Sequence, residues 1–386
     1  MSFKVEQLEA LITQLSADVE TQKEVTRLPL KISSEIFLHC LPPRPEPGPR
    51  TAPMLLVNVC NSWTDIAIST SALWAAIHLD CQGVGALQNW LQRAGHCGLS
   101  ISLRESLNDD VAAILRQYAR QIQNLELYKP DISFLTTISF FRLTTLIIAF
   151  PRTDPSSIIG CEHIMALLHL TSNLQKCNFL NVDVQMQENP PDSLTLHSLR
   201  SLKFGDAESG IIHGGQVILR YLTLPCVESL AVPMIQFSRH EFTLFLKRSS
   251  PPLRRLVLNS GWADIMFIDL HEIISLLPSL VDLGLHTGSS PFTNDLLSSL
   301  ADSPLLPKLR SLKIVHQEVF VRFPPLLHQN MLRMLSARRS QITCFIYKAL
   351  SGDEHKPHAG VCDALRQLAA DGMEIFVGSQ DQGNYI

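Results

Sequence analysis

Charge is scarce in this chain. Asp, Glu, Lys and Arg together make up 18% of 386 residues, and the formal net charge is -4. Such a weak overall field excludes nonspecific nucleic-acid binding as the main activity and leaves only local basic patches. Arg333, Arg338 and Arg339 form one such cluster, which reads as a helix face rather than a nucleic-acid site. No run approaches the roughly 18 to 20 apolar residues of a membrane span, so no membrane partner is expected. The N-terminus lacks an apolar signal core, and Glu6, Glu9, Asp18 and Glu20 make it too acidic for a mitochondrial transit peptide. The nine cysteines are odd in number, with no Cys-x-x-Cys pair, and there is no Asn-x-Ser/Thr sequon. Reduced, mostly buried thiols follow, and cytoplasm or nucleus is the expected location.

Catalytic and cofactor signatures are missing too. His240-Glu241 and His271-Glu272 begin like a zinc-protease helix, but neither has a second His four positions after the first. His355, His358 and Cys362 lack a clear fourth ligand. Gly83-Val84-Gly85 and Gly214-Gly215 do not extend to a dinucleotide fingerprint, and neither a Walker-type loop nor a G-x-S-x-G elbow occurs. No cofactor and no metal is implied, and no catalytic residue is singled out. A Cys/His pair built from distant residues would show only in space.

What the chain does have is apolar material, at 46% of residues, which excludes a disordered polymer. The length exceeds one ordinary core, so two domains, or a small domain plus a repeat array, are expected. Val5, Leu8, Ile12, Leu15 and Val19 share one helical face and predict an amphipathic helix in residues 1–27. From Leu28 a second helical pattern runs through Ile32, Ile36 and Phe37, with Pro29 where a first-turn proline is tolerated. Residues 42–53 hold six prolines in twelve positions and predict an extended, exposed linker. Leu55, Leu56, Val59, Cys60, Trp63 and Ile66 then return to helical spacing, before Ser69-Thr70-Ser71 and Leu73-Trp74.

From residue 81 onward the chain repeats a unit of the form L-x-x-L-x-L, the strand signature of leucine-rich repeats. Its centres fall at residues 101, 125, 146, 177, 202, 230, 256, 283, 312, 345 and 375. Helices are expected between strands, for example over Ile164 to Leu170, Phe242 to Lys247, Leu270 to Leu277 and Leu296 to Leu300. Strand and helix alternating at this spacing predict a solenoid with a curved parallel sheet and outer helices. An ordinary α/β domain whose strands happen to begin with leucines is the alternative.

The segment from Leu28 to Leu79 resembles an F-box, especially the divergent form common in large fungal families. The matching residues are Leu28-Pro29, Ile32, Glu35-Ile36-Phe37, Leu41-Pro42, Leu55-Leu56, Val59-Cys60, Trp63, Ile66-Ala67, Ser69 and Leu73-Trp74-x-x-Ile77. Lys31 stands where an acidic residue is common and Ser33 where a larger apolar residue is usual. The resemblance implies a small all-helical F-box over 28–80, followed by the repeats over 81–386, in an α/β protein. It implies docking on the Skp adaptor of cullin-based ubiquitin ligases through Leu28, Pro29, Ile32, Ile36, Leu55, Val59, Cys60, Trp63 and Trp74. Several of these, Trp74 and Cys60 above all, are equally suited to a core.

The repeats would then hold a protein target. In L-x-x-L-x-L the leucines point inward and the residues between them line the concave face. That places Tyr128, Lys176, Lys203, Arg255, Asn259, His286 and Lys313 on one surface, with Asn124, Glu126, Asn178, Ser201, Val257 and Asp282 beside them. Its cations suit an acidic or phosphorylated ligand. The implied function is a non-catalytic substrate receptor of a Skp-cullin-F-box ubiquitin ligase. A leucine-rich scaffold outside ubiquitination is the alternative, and a hydrolase or transferase hidden in the α/β repeats the third reading.

Overall fold

The computed structural model describes residues 28–80, 83–151, 158–185, 191–205, 215–233, 239–261, 267–287, 290–316, 326–349, 356–379 and 381–386. The expected helix over 1–27 lies outside them, as does His355. The chain forms two compact units, Met1–Tyr128 and Lys129–Ile386. Among the described residues there are 12 α-helices and a long parallel sheet in a mixed α/β arrangement, with no closed barrel. No described helix is long and apolar enough to cross a membrane.

The first unit opens with helices α1 (Leu30–His39), α2 (Met54–Val57) and α3 (Asn61–Ser69), then a 3₁₀ turn at Ser71–Trp74. Pro29 starts α1 by lending its carbonyl to Ile32 and Ser33, at 2.8 and 3.2 Å, without needing the amide hydrogen it lacks. Strands β1 (Ala76–Leu79), β2 (Leu99–Leu103) and β3 (Ile122–Tyr128) follow, separated by α4 (Val84–Ala94) and α5 (Asp109–Tyr118). They pair in parallel, with Ile77, Ile101 and Leu125 in one buried row. Asn108 caps α5 by accepting from Val111 N at 2.8 Å, and Asp109 and Asp110 complement its positive end.

The expected division at residues 80 and 81 falls inside this unit, because β1 pairs with β2 and so binds the helical segment to the first strands. The proline-rich segment also differs from a free linker. It forms no helix up to Pro53, yet Pro45, Ala52 and Pro53 are buried, and the Pro45 carbonyl accepts from His78 N at 2.7 Å.

In the second unit a short helix, α6 (Ile132–Leu135), precedes β4 (Thr145–Ala149). Next come β5 (Ile158–Gly160), α7 (Cys161–His169), β6 (Lys176–Leu180), β7 (Asp183–Gln185), β8 (Leu194–Thr195), β9 (Ser201–Phe204), β10 (Leu222–Thr223) and β11 (Ser229–Pro233). From there strand and helix alternate: α8 (Arg239–Ser249), β12 (Arg255–Gly261), α9 (Phe267–Ser275), β13 (Asp282–Thr287), α10 (Ser290–Asp302) and β14 (Ser311–His316). The series ends with α11 (Leu326–Ala337), β15 (Cys344–Ala349), α12 (Ala359–Ala370), β16 (Glu374–Ser379) and β17 (Gly383–Asn384). Strands β4, β6, β9, β11, β12, β13, β14, β15 and β16 lie side by side in parallel, and β17 closes the edge antiparallel to β16.

One register row runs through Leu146, Cys177, Leu202, Leu230, Leu256, Leu283, Leu312, Phe345 and Ile375, all buried. These are the expected repeat centres, strand by strand. The residue three positions ahead of the centre is buried as well in every strand of the row but the last, with Leu199, Leu253, Leu280 and Leu309 at 0% exposure. At about 1.5 to 3 kcal/mol for each buried leucine, the two apolar ladders are the main favourable term holding strand to strand. All four helices expected from the spacing are present, α7 to α9 within three residues of their expected bounds and α10 beginning six residues earlier than expected.

Two arginines of this unit are structural. Arg338, 6% exposed, donates from Nε to Leu300 O at 2.6 Å and from Nη2 to Ser303 O at 2.7 Å, closing the end of α10. Burial holds its guanidinium below the usual range. Arg333 pairs with Asp302. The basic cluster of the sequence is therefore an internal brace plus a surface ion pair. Arg338→Leu is expected to cost about 2 to 4 kcal/mol by stranding helix-end carbonyls, read as a lower midpoint in urea with an unchanged slope.

Candidate functional site

Helix α1 has one buried face and one exposed apolar face. Ser33 and Phe37 face the interior at 0% and 1% exposure, and Phe37 packs on Trp63 with ring centroids 5.1 Å apart. Roughly 100° away around the helix, at a spacing of four, Leu28, Ile32 and Ile36 are 39%, 46% and 44% exposed. Leu55 on α2 and Val59 before α3 are exposed in the same way, and Pro29 is open to solvent. Of the twelve exposed large apolar residues described, seven lie between Leu28 and Ile68. Exposed apolar side chains concentrated in one short segment are what an interaction surface would offer.

Cys60 and Trp63 are half-buried at this surface, and the buried Trp63 Nε1 has no acceptor. Trp74 is different. It is 0% exposed, donates from Nε1 to Ala67 O at 2.9 Å, meets Trp90 edge-on at 5.0 Å and lies 4.5 Å under the Arg93 guanidinium. It supports the helices from inside and is not part of an interface. Leu30 and Ile68, which the spacing did not point to, belong to the exposed set at 56% and 45%.

The second surface lies on the sheet of the second unit. A register row runs Asn178, Lys203, Ala231, Val257, Gly284, Lys313, Ile346 and Phe376 on β6, β9 and β11 to β16. Between the two lysines it offers only small side chains, and at about 4.8 Å per strand the lysines start about 19 Å apart. A concavity of about 470 Å³ opens there, lined by Lys203, Arg255, His286 and Lys313, with Asp282 as its acidic member. Gly284 makes the floor: a Cβ at that position would meet Val257 Cγ2 at 3.1 Å. The pattern could have shown it, since a glycine between the two strand leucines marks a close approach.

Of the expected target-binding residues, Lys203, Arg255 and Lys313 converge there, and His286 lines the same concavity from beneath at 3% exposure. The other three do not. Lys176 is exposed three strands from Arg255, in the row of Ser201 and Ser229, outside the concavity. Asn259 is 7% exposed, because toward the carboxyl ends of these strands both sheet faces are covered. Tyr128 ends β3 and belongs to the first unit.

Among the described thiols, Cys161, Cys177 and Cys344 are disfavoured as thiolates. Burial pushes Cys177 well above its ordinary range and Cys161 up to about 11, while burial and then Glu374 raise Cys344. Glu241 of the first His-Glu pair is engaged by Arg220 at 2.6 Å. Compared with models of known protein families and with curated proteins, the chain matches none.

Proposed function

We propose that the chain is the substrate-recognition subunit of a Skp-cullin-F-box ubiquitin ligase. Residues 28–80 act as the F-box and dock the Skp-type adaptor, which brings in the cullin, and residues 81–386 act as a leucine-rich-repeat solenoid whose concave face holds a protein target. The observation that carries this reading is the concentration of exposed apolar side chains on α1 to α3, above a packed interior. Apolar anchors around a desolvated centre supply most of the energy of such contacts. Catalysis is then proximity: the receptor raises the effective concentration of target lysines near a ubiquitin-charged enzyme and supplies no acid, base or nucleophile.

Lys31 is exposed and enters the docking surface directly, whereas Ser33 is buried and acts on its packing. Co-expression with adaptor and cullin tests the assignment. One complex of all three is expected; separate elution would leave a leucine-rich scaffold outside ubiquitination.

The cation-lined concavity supports an acidic or phosphorylated segment as the target's recognition element. Lys203→Glu with Lys313→Glu is expected to lower affinity for a phosphorylated target at least about 30-fold, at about 1 kcal/mol or more for each charge pair. Both side chains are half-buried on an open face, so melting should move little. Equal binding by parent and variant would remove the concavity from target recognition.

A further inference from the structure

In the first unit, His78, Ser102 and Glu126 stand side by side on β1, β2 and β3. Ser102 Oγ donates to Glu126 Oε2 at 3.0 Å, and Glu126 is also 3.7 Å from Arg44. A hydroxyl has one proton, so toward His78 Nδ1, at 2.8 Å, Ser102 accepts and the ring nitrogen donates. This fixes the tautomer. His78 is 4% exposed, and its other nitrogen, Nε2, lies 3.2 Å from Asp80 Oδ1. With the proton on Nδ1, a neutral ring presents a lone pair to a carboxylate, and that contact needs a positive centre. Glu46 adds a second carboxylate: ligand atoms of Glu46, His78 and Asp80 all lie within 4.8 Å of one another.

We propose that Nε2 of His78 and the carboxylates of Asp80 and Glu46 form a site for a divalent transition-metal ion, zinc being the best match to one imidazole and two carboxylates. Zinc binds such donors at about 2.0 to 2.2 Å, so the three close by on the order of 1 Å around it and leave a fourth position for water. The Glu126–Ser102–His78 chain is the outer support a metal-binding imidazole needs, since it directs the free lone pair at the ion. Arg104 Nε, 3.8 Å from the same Asp80 oxygen, is the competing cation, and its side chain is 49% exposed and able to turn away. Glu46 belongs to the proline-rich segment, His78 to the end of β1, and Asp80 directly follows that strand. The ion would therefore staple that segment to the sheet, beside the hydrogen bond from His78 N to Pro45 O. This inference does not depend on the ubiquitin-ligase reading.

The test titrates the full chain, stripped of metal, with Zn²⁺ by calorimetry and with Co²⁺ by absorption. One equivalent is expected, with no sulfur-to-metal band, and affinity should fall at least about 10-fold in Asp80→Asn and in Glu46→Gln. Ser102→Ala, which touches no ion, should weaken binding about 10- to 100-fold through the ring it orients. The exposed Asp80 and Glu46 keep the test sound if His78→Gln fails to fold. Three results would overturn the site: no stoichiometric binding, which assigns the positive centre to a proton; binding that survives Asp80→Asn with Glu46→Gln; or a thiolate band placing the ion on cysteine.

Discussion

Ile32→Asp combined with Ile36→Asp is expected to abolish the proposed capture of a Skp-type adaptor by the purified chain while moving its thermal midpoint by only a few degrees. Both side chains are nearly half exposed on α1, one turn apart, whereas the stripe that holds the helix down is Ser33 and Phe37. Loss of an interface anchor costs about 2 to 4 kcal/mol, and two buried aspartates add an unpaired-charge penalty, so affinity falls by more than about 1,000-fold. Folding loses about 1 kcal/mol or less, as for surface changes away from a core. Circular dichroism and a pull-down on the same preparation separate the two quantities. Undiminished capture would move the docking surface away from α1.

Trp74→Ala has the opposite signature. It is expected to destabilise the first unit by about 3 to 5 kcal/mol, the range for removing a fully buried aromatic. Three contacts go at once: the Nε1 bond to Ala67 O, the edge contact with Trp90 and the Arg93 cation over the ring. Adaptor binding should fail only in step with unfolding, and a preparation kept folded at low temperature should still bind. Chemical denaturation reads the loss directly. A change below about 1 kcal/mol would contradict a core role.

The contrast between Ile32 and Trp74 shows what the sequence can and cannot tell. Both are apolar residues at helical spacing, and residue type does not say which side of the helix finds a partner. The partners of Trp74 are Trp90 and Arg93, on a helix past the next strand. The strands were easier to read. A buried ladder such as Leu256, Leu283 and Leu312 recurs once per strand and needs no knowledge of contacts.

The same regularity misled in two places. Ile77 reads as the tail of the helical motif but is the first strand's buried residue, in register with Ile101. Asn259 and His286 occupy alternating positions that predict exposure, yet β13 is buried on both faces from Leu283 onward. The His78–Ser102–Glu126 chain was illegible for a related reason. Its members lie 24 residues apart and become neighbours only once strand register is known.

Titrating the Skp-type adaptor into the full chain by calorimetry tests the receptor assignment most directly. A one-to-one complex with a Kd of about 1 μM or tighter and a negative heat-capacity change, the mark of apolar burial, is the expected result. No binding with both proteins at about 100 μM would contradict it, because an apolar surface built for this partner would then bring less than about 5.5 kcal/mol to the contact.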